Sequence, residues 1–165
     1  MKLIESIFRE YDIRGTYPSE INENSIAKIG QAIALKCTEE GVSEICVGRD
    51  GRLSGKTLLE AMCKSLSESG IAVINIGLVT SPVLYYAAKK NKSKSGVMIT
   101  GSHNPKNDNG IKMIINDKPV SGTEILSLTK SVKNINNKAR IINDTSVIDQ
   151  YISEVTHKIK LHNPN

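Results

Sequence analysis

Residues 45–77 read ICVGRDGRLSGKTLLEAMCKSLSESGIAVINIG. Ile45-Cys46-Val47 is a short apolar run ending at Gly48, too brief for a helix and of the right length for a buried strand. Ser54 then opens a segment with Leu58, Leu59, Met62 and Leu66 at spacings of three and four. Those spacings make one helical face, and Gly70 is placed to stop it. Ile71–Gly77 is a second apolar strand. Strand, helix, strand with short connections is the unit from which parallel sheets are built.

The same alternation continues in both directions. Upstream, Asn22-Glu23-Asn24-Ser25 supplies capping side chains for a helix with Ile26, Ile29, Ile33, Ala34 and Cys37 on one face, ended by Gly41. Downstream, Thr80-Ser81-Pro82 starts a third helix, with proline expected at the first helical position, where a missing N–H costs nothing. Gly96–Thr100 is the next strand. The polar loop Gly101–Gly110 and the apolar run Ile111–Ile115 follow with no helix between them, so this last strand can return antiparallel. Two more helices are predicted over 122–134 and 146–160, the second with Ile148, Ile152, Val155 and Ile159 on one face. The pattern predicts an α/β fold: a three-layer α/β/α sandwich with a mixed, mostly parallel sheet. One domain over residues 1–160 is expected, with Leu161–Asn165 opening a linker.

The bulk numbers fit one such domain. At 165 residues the chain can bury about 70% of its unfolded surface around a single core. No apolar run approaches the roughly 20 residues that span a bilayer. The net charge of +5 is modest, and one Phe, five Tyr and no Trp give few platforms for base stacking. Neither a membrane nor a nucleic acid is therefore an expected partner. The densest basic patch, Lys89–Lys94, reads as a solvated helix end. Cys37, Cys46 and Cys63 are odd in number, far apart and set in apolar segments. They read as buried thiols of a protein in a reducing cytoplasm.

Chemistry has to be sought where strands empty into polar loops, because ligands of α/β sheets gather beyond the strands' carboxyl ends. Gly101–Gly110 carries Ser102 beside His103, with Lys112 about ten residues on. Arg49–Gly55 and Gly77–Pro82 follow two other strands, and Arg9–Gly15 is a fourth polar cluster. Arg9, Arg14, Arg49, Arg52, His103 and Lys112 are the candidate partners for an anion. Arg14 with Asp12, and Arg49 with Asp50, can equally well pair to fix their loops. No G-x-G-x-x-G, no G-x-x-x-x-G-K-[ST] and no G-x-S-x-G is present, and the histidines and carboxylates form no ligand-spaced metal set. From residues alone, the reading is an α/β domain with an anion site around Ser102.

Thr100-Gly101-Ser102-His103-Asn104-Pro105, followed by Asn109-Gly110-Ile111-Lys112, resembles the phosphoserine loop of the α-D-phosphohexomutases. Phe8-Arg9-Glu10-Tyr11-Asp12-Ile13-Arg14-Gly15 resembles that family's N-terminal motif. Val47–Gly55 and Thr80–Ala88 match two further landmarks in order and spacing. The likeness covers nearly the whole chain and is greatest to the bacterial phosphomannomutase/phosphoglucomutase branch.

The resemblance implies a domain of an enzyme that moves phosphate between C1 and C6 of mannose or glucose phosphates through a hexose 1,6-bisphosphate. It implies Ser102 as phosphoryl carrier and, through that phosphoryl group, as contact for one Mg²⁺. It implies Lys112 in acid–base transfer, Tyr11 and Arg14 beside the phosphoserine and substrate, and His103 and Asn104 shaping the loop. Ser102, Lys112, His103 and Arg14 are thus the implied catalytic set, and Tyr11, Arg14, Lys112 and Asn104 the implied substrate contacts. Family members have four domains and this chain resembles the first, so domains 2–4 are implied partners beside the phosphohexose. The D-G-D-G-D magnesium loop of domain 2 is not among these residues, and the chain alone is expected to show no mutase turnover. A phosphoglucosamine or N-acetylglucosamine-phosphate mutase domain, and a phosphosugar-binding module without catalysis, are the alternatives.

Overall fold

A computed structural model describes residues 3–132 and 137–159. After a 3₁₀ turn at Glu5–Ile7 come β1 (Ile13–Thr16), α1 (Glu23–Glu39), β2 (Glu44–Arg49), α2 (Gly55–Glu68), β3 (Ala72–Leu78) and α3 (Ser81–Lys90). They are followed by β4 (Gly96–Ile99), β5 (Asp108–Ile115), β6 (Lys118–Pro119), α4 (Gly122–Leu128), β7 (Ile141–Asn143) and α5 (Val147–Lys158). The strands form one sheet in the order β1-β5-β4-β2-β3-β7, with β6 on the far end of β5. β4, β2, β3 and β7 pair in parallel. β5 returns antiparallel to β4 and carries β1 and β6, so the sheet is mixed and its antiparallel part is confined to one flank.

Alternation along the strands divides the core between the two faces. Ile45 and Val47 of β2, Val97 and Ile99 of β4, and Ile111 and Met113 of β5 face the apolar sides of α1 and α2. Cys46 and Met98 face the other way, onto Val83, Leu84 and Ala87 of α3 and Val147 at the start of α5. Each fully buried Ile or Leu contributes about 2–3 kcal/mol of transfer free energy. Cys37, Cys46 and Cys63 are buried and unpaired, and desolvation raises each thiol to about 12. Among the described residues, no helix is long and apolar enough to cross a membrane.

The helix signals in the sequence act as their chemistry dictates. Asn22 accepts from the backbone N–H groups of Asn24 and Ser25, while Ser25 Oγ accepts from Asn22 N–H: a reciprocal capping box. Gly41 (φ +69) and Gly70 (φ +90) take up the left-handed backbone that follows α1 and α2. Lys89 and Lys90 close α3. Lys90 Nζ lies 2.8 Å from Glu154 Oε2, clasping α5 to α3, and 5.5 Å from the Tyr86 ring centroid.

Several expectations are corrected. Ser54 does not cap α2 with its side chain; its hydroxyl instead accepts from Asn109 Nδ2 at 2.9 Å. β5 begins at Asp108 rather than Ile111, because Asp108, Asn109 and Gly110 pair with β1. Part of the charged cluster Arg9–Gly15 is thus an edge strand. α4 ends at Leu128, and the predicted extension through 133 and 134 lies outside the described residues, as does the expected linker 161–165. On α5 the buried side is Val147, with Ile148 and Tyr151 packed beside it, while Ile152 and Ile159 are exposed.

Candidate functional site

The polypeptide leaves β4 at Ile99 and turns through residues 100–107 before re-entering the sheet at β5. Ser102 sits at the exposed crest of this turn with φ +52, a left-handed conformation that a non-glycine residue adopts at a cost of about 1 kcal/mol. The cost is borne because three sets of contacts fix the turn.

The first is Asp50, at the end of β2. One carboxylate oxygen accepts from Thr100 Oγ1 at 2.8 Å and from Gly101 N–H at 3.1 Å, and the other accepts from Arg52 N–H at 3.1 Å. Thr100 Oγ1 in turn accepts from the Ser102 N–H at 2.9 Å. The second is Arg52. Its Nη2 donates to the carbonyls of Asn104 (2.7 Å) and Ser102 (3.2 Å), and its Nη1 to those of Asp108 (2.8 Å) and Pro105. Its Nε faces Asp50 Oδ2 at 3.4 Å. The third is Arg14 on β1, which donates to Asn104 Oδ1 at 3.0 Å and pairs with Asp12 at 2.7 Å.

Of the residues picked out from sequence, Ser102, His103, Asn104 and Arg14 are therefore brought together. His103 is exposed, with Nδ1 3.4 Å from Ser102 Oγ. Lys112 is half-buried and aligned with Met98 in the β4–β5 register, while Arg14 is aligned with Gly110. Since alternate strand residues share a face, Lys112 and Arg14 project from the same side of the sheet. Tyr11 is not drawn in; it is 82% exposed in the bend before β1. The Arg14–Asp12 pair forms, whereas Arg49 donates to the backbone carbonyl of Asp50 and leaves that carboxylate to Arg52, Thr100 and Gly101. Arg9, the other candidate of the N-terminal cluster, contributes its backbone N–H to the Asp12 carbonyl at 2.8 Å.

Arg52 and Thr100 are the residues that the sequence reading underrated. Arg52 counted only as one candidate cation among six, yet it grips the turn from within. The signal available was its place two residues after Asp50 in a short loop, the spacing of a local backbone–carboxylate turn.

Two clefts flank Ser102. One, of about 780 Å³, is lined by Tyr17, Arg52, Leu53, Ser54, Asn104 and Lys106 among others. The second, of about 470 Å³, lies towards the start of α3, against Leu78, Thr80, Ser81 and Met98. Ser102, Asp50 and Gly51 line both. A hydroxyl held at the rim of two open clefts, beside cationic side chains, is suited to carry a charged group between partners that approach from outside.

The family model for phosphoglucomutase/phosphomannomutase, alpha/beta/alpha domain I, matches residues 5–139. The chain belongs to this family. The phosphoglucomutase of Neisseria gonorrhoeae is 39% identical over 166 residues, an alignment that covers 98% of this chain and 36% of that protein. The phosphomannomutase/phosphoglucomutase of Pseudomonas syringae pv. tomato is 38% identical, covering 95% of the chain and 34% of that protein. A crystal structure of a phosphoglucomutase/phosphomannomutase family protein from Burkholderia thailandensis superposes with a TM-score of 0.92 at 31% identity, over 99% of this chain and 38% of that one. The chain thus spans little more than a third of the length of the phosphoglucomutases and phosphomannomutases it matches.

Proposed function

We propose that this chain is the phosphoserine-bearing domain of a phosphohexomutase that interconverts hexose 1-phosphate and hexose 6-phosphate, with mannose and glucose as the sugars. The observation that carries the reading is Ser102 itself. It is exposed, strained into φ +52 by the Asp50–Thr100–Arg52 network, and open to a cleft on either side. In this reading Ser102 Oγ carries a phosphoryl group of about −1.5 to −2 charge near neutral pH. A hydroxyl of the sugar monophosphate attacks phosphorus, a new P–O bond forms to the sugar, and the bond to Ser102 Oγ breaks. The hydroxyl's proton passes to Lys112 and from there through solvent to the departing Ser102 Oγ, so that no net proton is gained or lost. The product is hexose 1,6-bisphosphate, and its other phosphoryl group goes back to Ser102 by the reverse of the same step.

Arg14 holds Asn104 and through it the turn, and in this reading it and Lys112, which share one side of the sheet, receive the substrate. Tyr11, exposed as it is, is positioned to meet substrate only when the sugar or a neighbouring domain covers it. The catalysis these residues supply is positioning and charge compensation, which is what phosphoryl transfer chiefly requires.

Mg²⁺ does not fit the described residues by themselves. Asp50 is committed to Thr100, Gly101 and Arg52, and Asp12 to Arg14. No group of three or more His, Cys, Asp or Glu side chains among the described residues is placed to hold an ion. In our reading the phosphoryl group on Ser102 is one ligand, and the carboxylates belong to the further domains of a longer protein. Those domains and the phosphohexose are the partners we propose, and the cytoplasm is the compartment, in keeping with three buried free thiols.

The test is a half-reaction. The chain is incubated with Mg²⁺ and hexose 1,6-bisphosphate, and protein mass and released monophosphate are measured together. Without the metal carboxylates of the further domains uptake is expected to be slow and without turnover, but each monophosphate released is matched by one phosphoryl group on Ser102, and Ser102→Ala releases none. Monophosphate appearing without phosphoserine, or equally with Ser102→Ala, overturns the proposal.

A further inference from the structure

We infer that Arg52 is the positioning residue of this reaction, acting through the peptides of the Ser102 turn rather than by binding the substrate's phosphate. The inference rests on the reading of Ser102 as phosphoryl carrier. Arg52 was a candidate anion partner, but its guanidinium is already committed. Its three nitrogens reach five oxygens, four of them backbone carbonyls of the turn itself, at Ser102, Asn104, Pro105 and Asp108. Its side chain is only 12% exposed. A guanidinium presents its N–H groups in a rigid planar fork, and here the backbone wraps round that fork.

The consequence follows from peptide geometry. In a trans peptide the carbonyl and the N–H of the next residue point in opposite directions. With the Ser102 and Pro105 carbonyls turned onto Arg52, the N–H groups of His103 and Lys106 point away from it. Arg52 therefore gathers the negative ends of the turn's peptide dipoles on its inner side and leaves donors facing outward. The His103 N–H adjoins the residue that carries the phosphoryl group, and an outward-facing backbone donor there favours an anion. Gly101 is part of the same device. A Cβ there would overlap the guanidinium carbon and Nε and lie 2.6 Å from Nη2, so the guanidinium packs directly over the glycine.

The experiment compares amide exchange and phosphoryl uptake in the wild-type chain, Arg52→Ala and Arg52→Lys, with and without added guanidinium ion. The amides of Asn104 and Asp108 close the turn internally, onto the Gly101 and Pro105 carbonyls at 3.0 Å each. In Arg52→Ala they are expected to exchange at least about tenfold faster, a population change of the kind local opening produces. Guanidinium ion, which refills the fork, slows them again, while sodium chloride at equal ionic strength and urea do not. Arg52→Lys keeps the charge but not the fork, and behaves like Arg52→Ala without rescue. Phosphoryl uptake at Ser102 falls and recovers in parallel.

Unchanged exchange in Arg52→Ala, rescue by sodium chloride as good as by guanidinium, or full function in Arg52→Lys overturns the inference. If Arg52→Ala fails to fold, Gly101→Ala, whose Cβ displaces the same guanidinium, takes its place in the exchange measurement, and added guanidinium ion, shut out by that Cβ, is expected not to slow its amides. A wild-type chain that takes up no phosphoryl group defeats the functional reading instead, and the exchange data still decide the role of Arg52.

Discussion

Replacing Gly101 by alanine adds one methyl group, yet we expect it to dismantle the Ser102 turn. No left-handed backbone is required of Gly101, so alanine brings no conformational penalty there. Its Cβ instead occupies the space of the Arg52 guanidinium, which must leave. Departure strips the Asn104 and Asp108 carbonyls, both part-buried in their bonds to Arg52, while the exposed Ser102 and Pro105 carbonyls find water. Each stripped carbonyl costs about 1–2 kcal/mol, which gives a loss of about 2–4 kcal/mol. With an urea slope of about 2 kcal/mol per molar, the midpoint should fall by about 1–2 M. Urea unfolding followed by circular dichroism, with the wild type alongside, measures this. A midpoint within about 0.3 M of wild type, with the Asn104 and Asp108 amides still protected, refutes the claim that the guanidinium holds the turn.

Two further expectations follow from other contacts. Ser102→Gly should be about 1 kcal/mol more stable than Ser102→Ala in the same denaturation assay, because glycine meets no steric penalty at φ +52. Equal stabilities would mean that the turn is not strained. Glu154 receives hydrogen bonds from Lys158, Lys90 and Tyr86, which hold its carboxyl at about 2 against an ordinary 4.5. A depressed folded-state value contributes stability that is present above 4.5 and is lost as pH falls towards 2. α5 should therefore loosen from α3 across that range, read from the Tyr86 and Tyr151 resonances. In Glu154→Gln that pH-dependent loosening should vanish, and a transition of unchanged size in the variant contradicts the assignment.

Most of the fold could be read from sequence because its signals are local. The spacing of Leu58, Leu59, Met62 and Leu66, the capping pair Asn22 and Ser25, and glycines 41 and 70 fix their elements through nearest neighbours. β1 escaped because Arg14 and Gly15 break the apolar pattern, and the strand exists through its antiparallel partner β5. β7 escaped for a related reason: its three residues are all exposed at the sheet edge and are ordered by pairing with β3. The face of α5 differs from the predicted one because Ile148, Ile152, Val155 and Ile159 fit helical spacing, but α3 meets the helix over Val147, Ile148 and Tyr151. At the site, the motif identifies Ser102, His103, Asn104 and Arg14, which the structure assembles. The grip of Arg52 on four carbonyls was invisible, because backbone acceptors leave no trace in side-chain identity. Tyr11 stands exposed and Lys112 half-buried, and neither side chain is among those that fix the turn.

In the proposed reaction Ser102 alone carries the phosphoryl group. Ser54 lines one of the clefts beside it, and Thr80 and Ser81 line the other, so these three hydroxyls compete for the same reagent. Tandem mass spectrometry of the chain after incubation with Mg²⁺ and hexose 1,6-bisphosphate tells them apart. We predict phosphate on Ser102 and on none of the other three. Phosphate distributed over Ser54, Thr80 or Ser81, or absent from Ser102, would contradict the account.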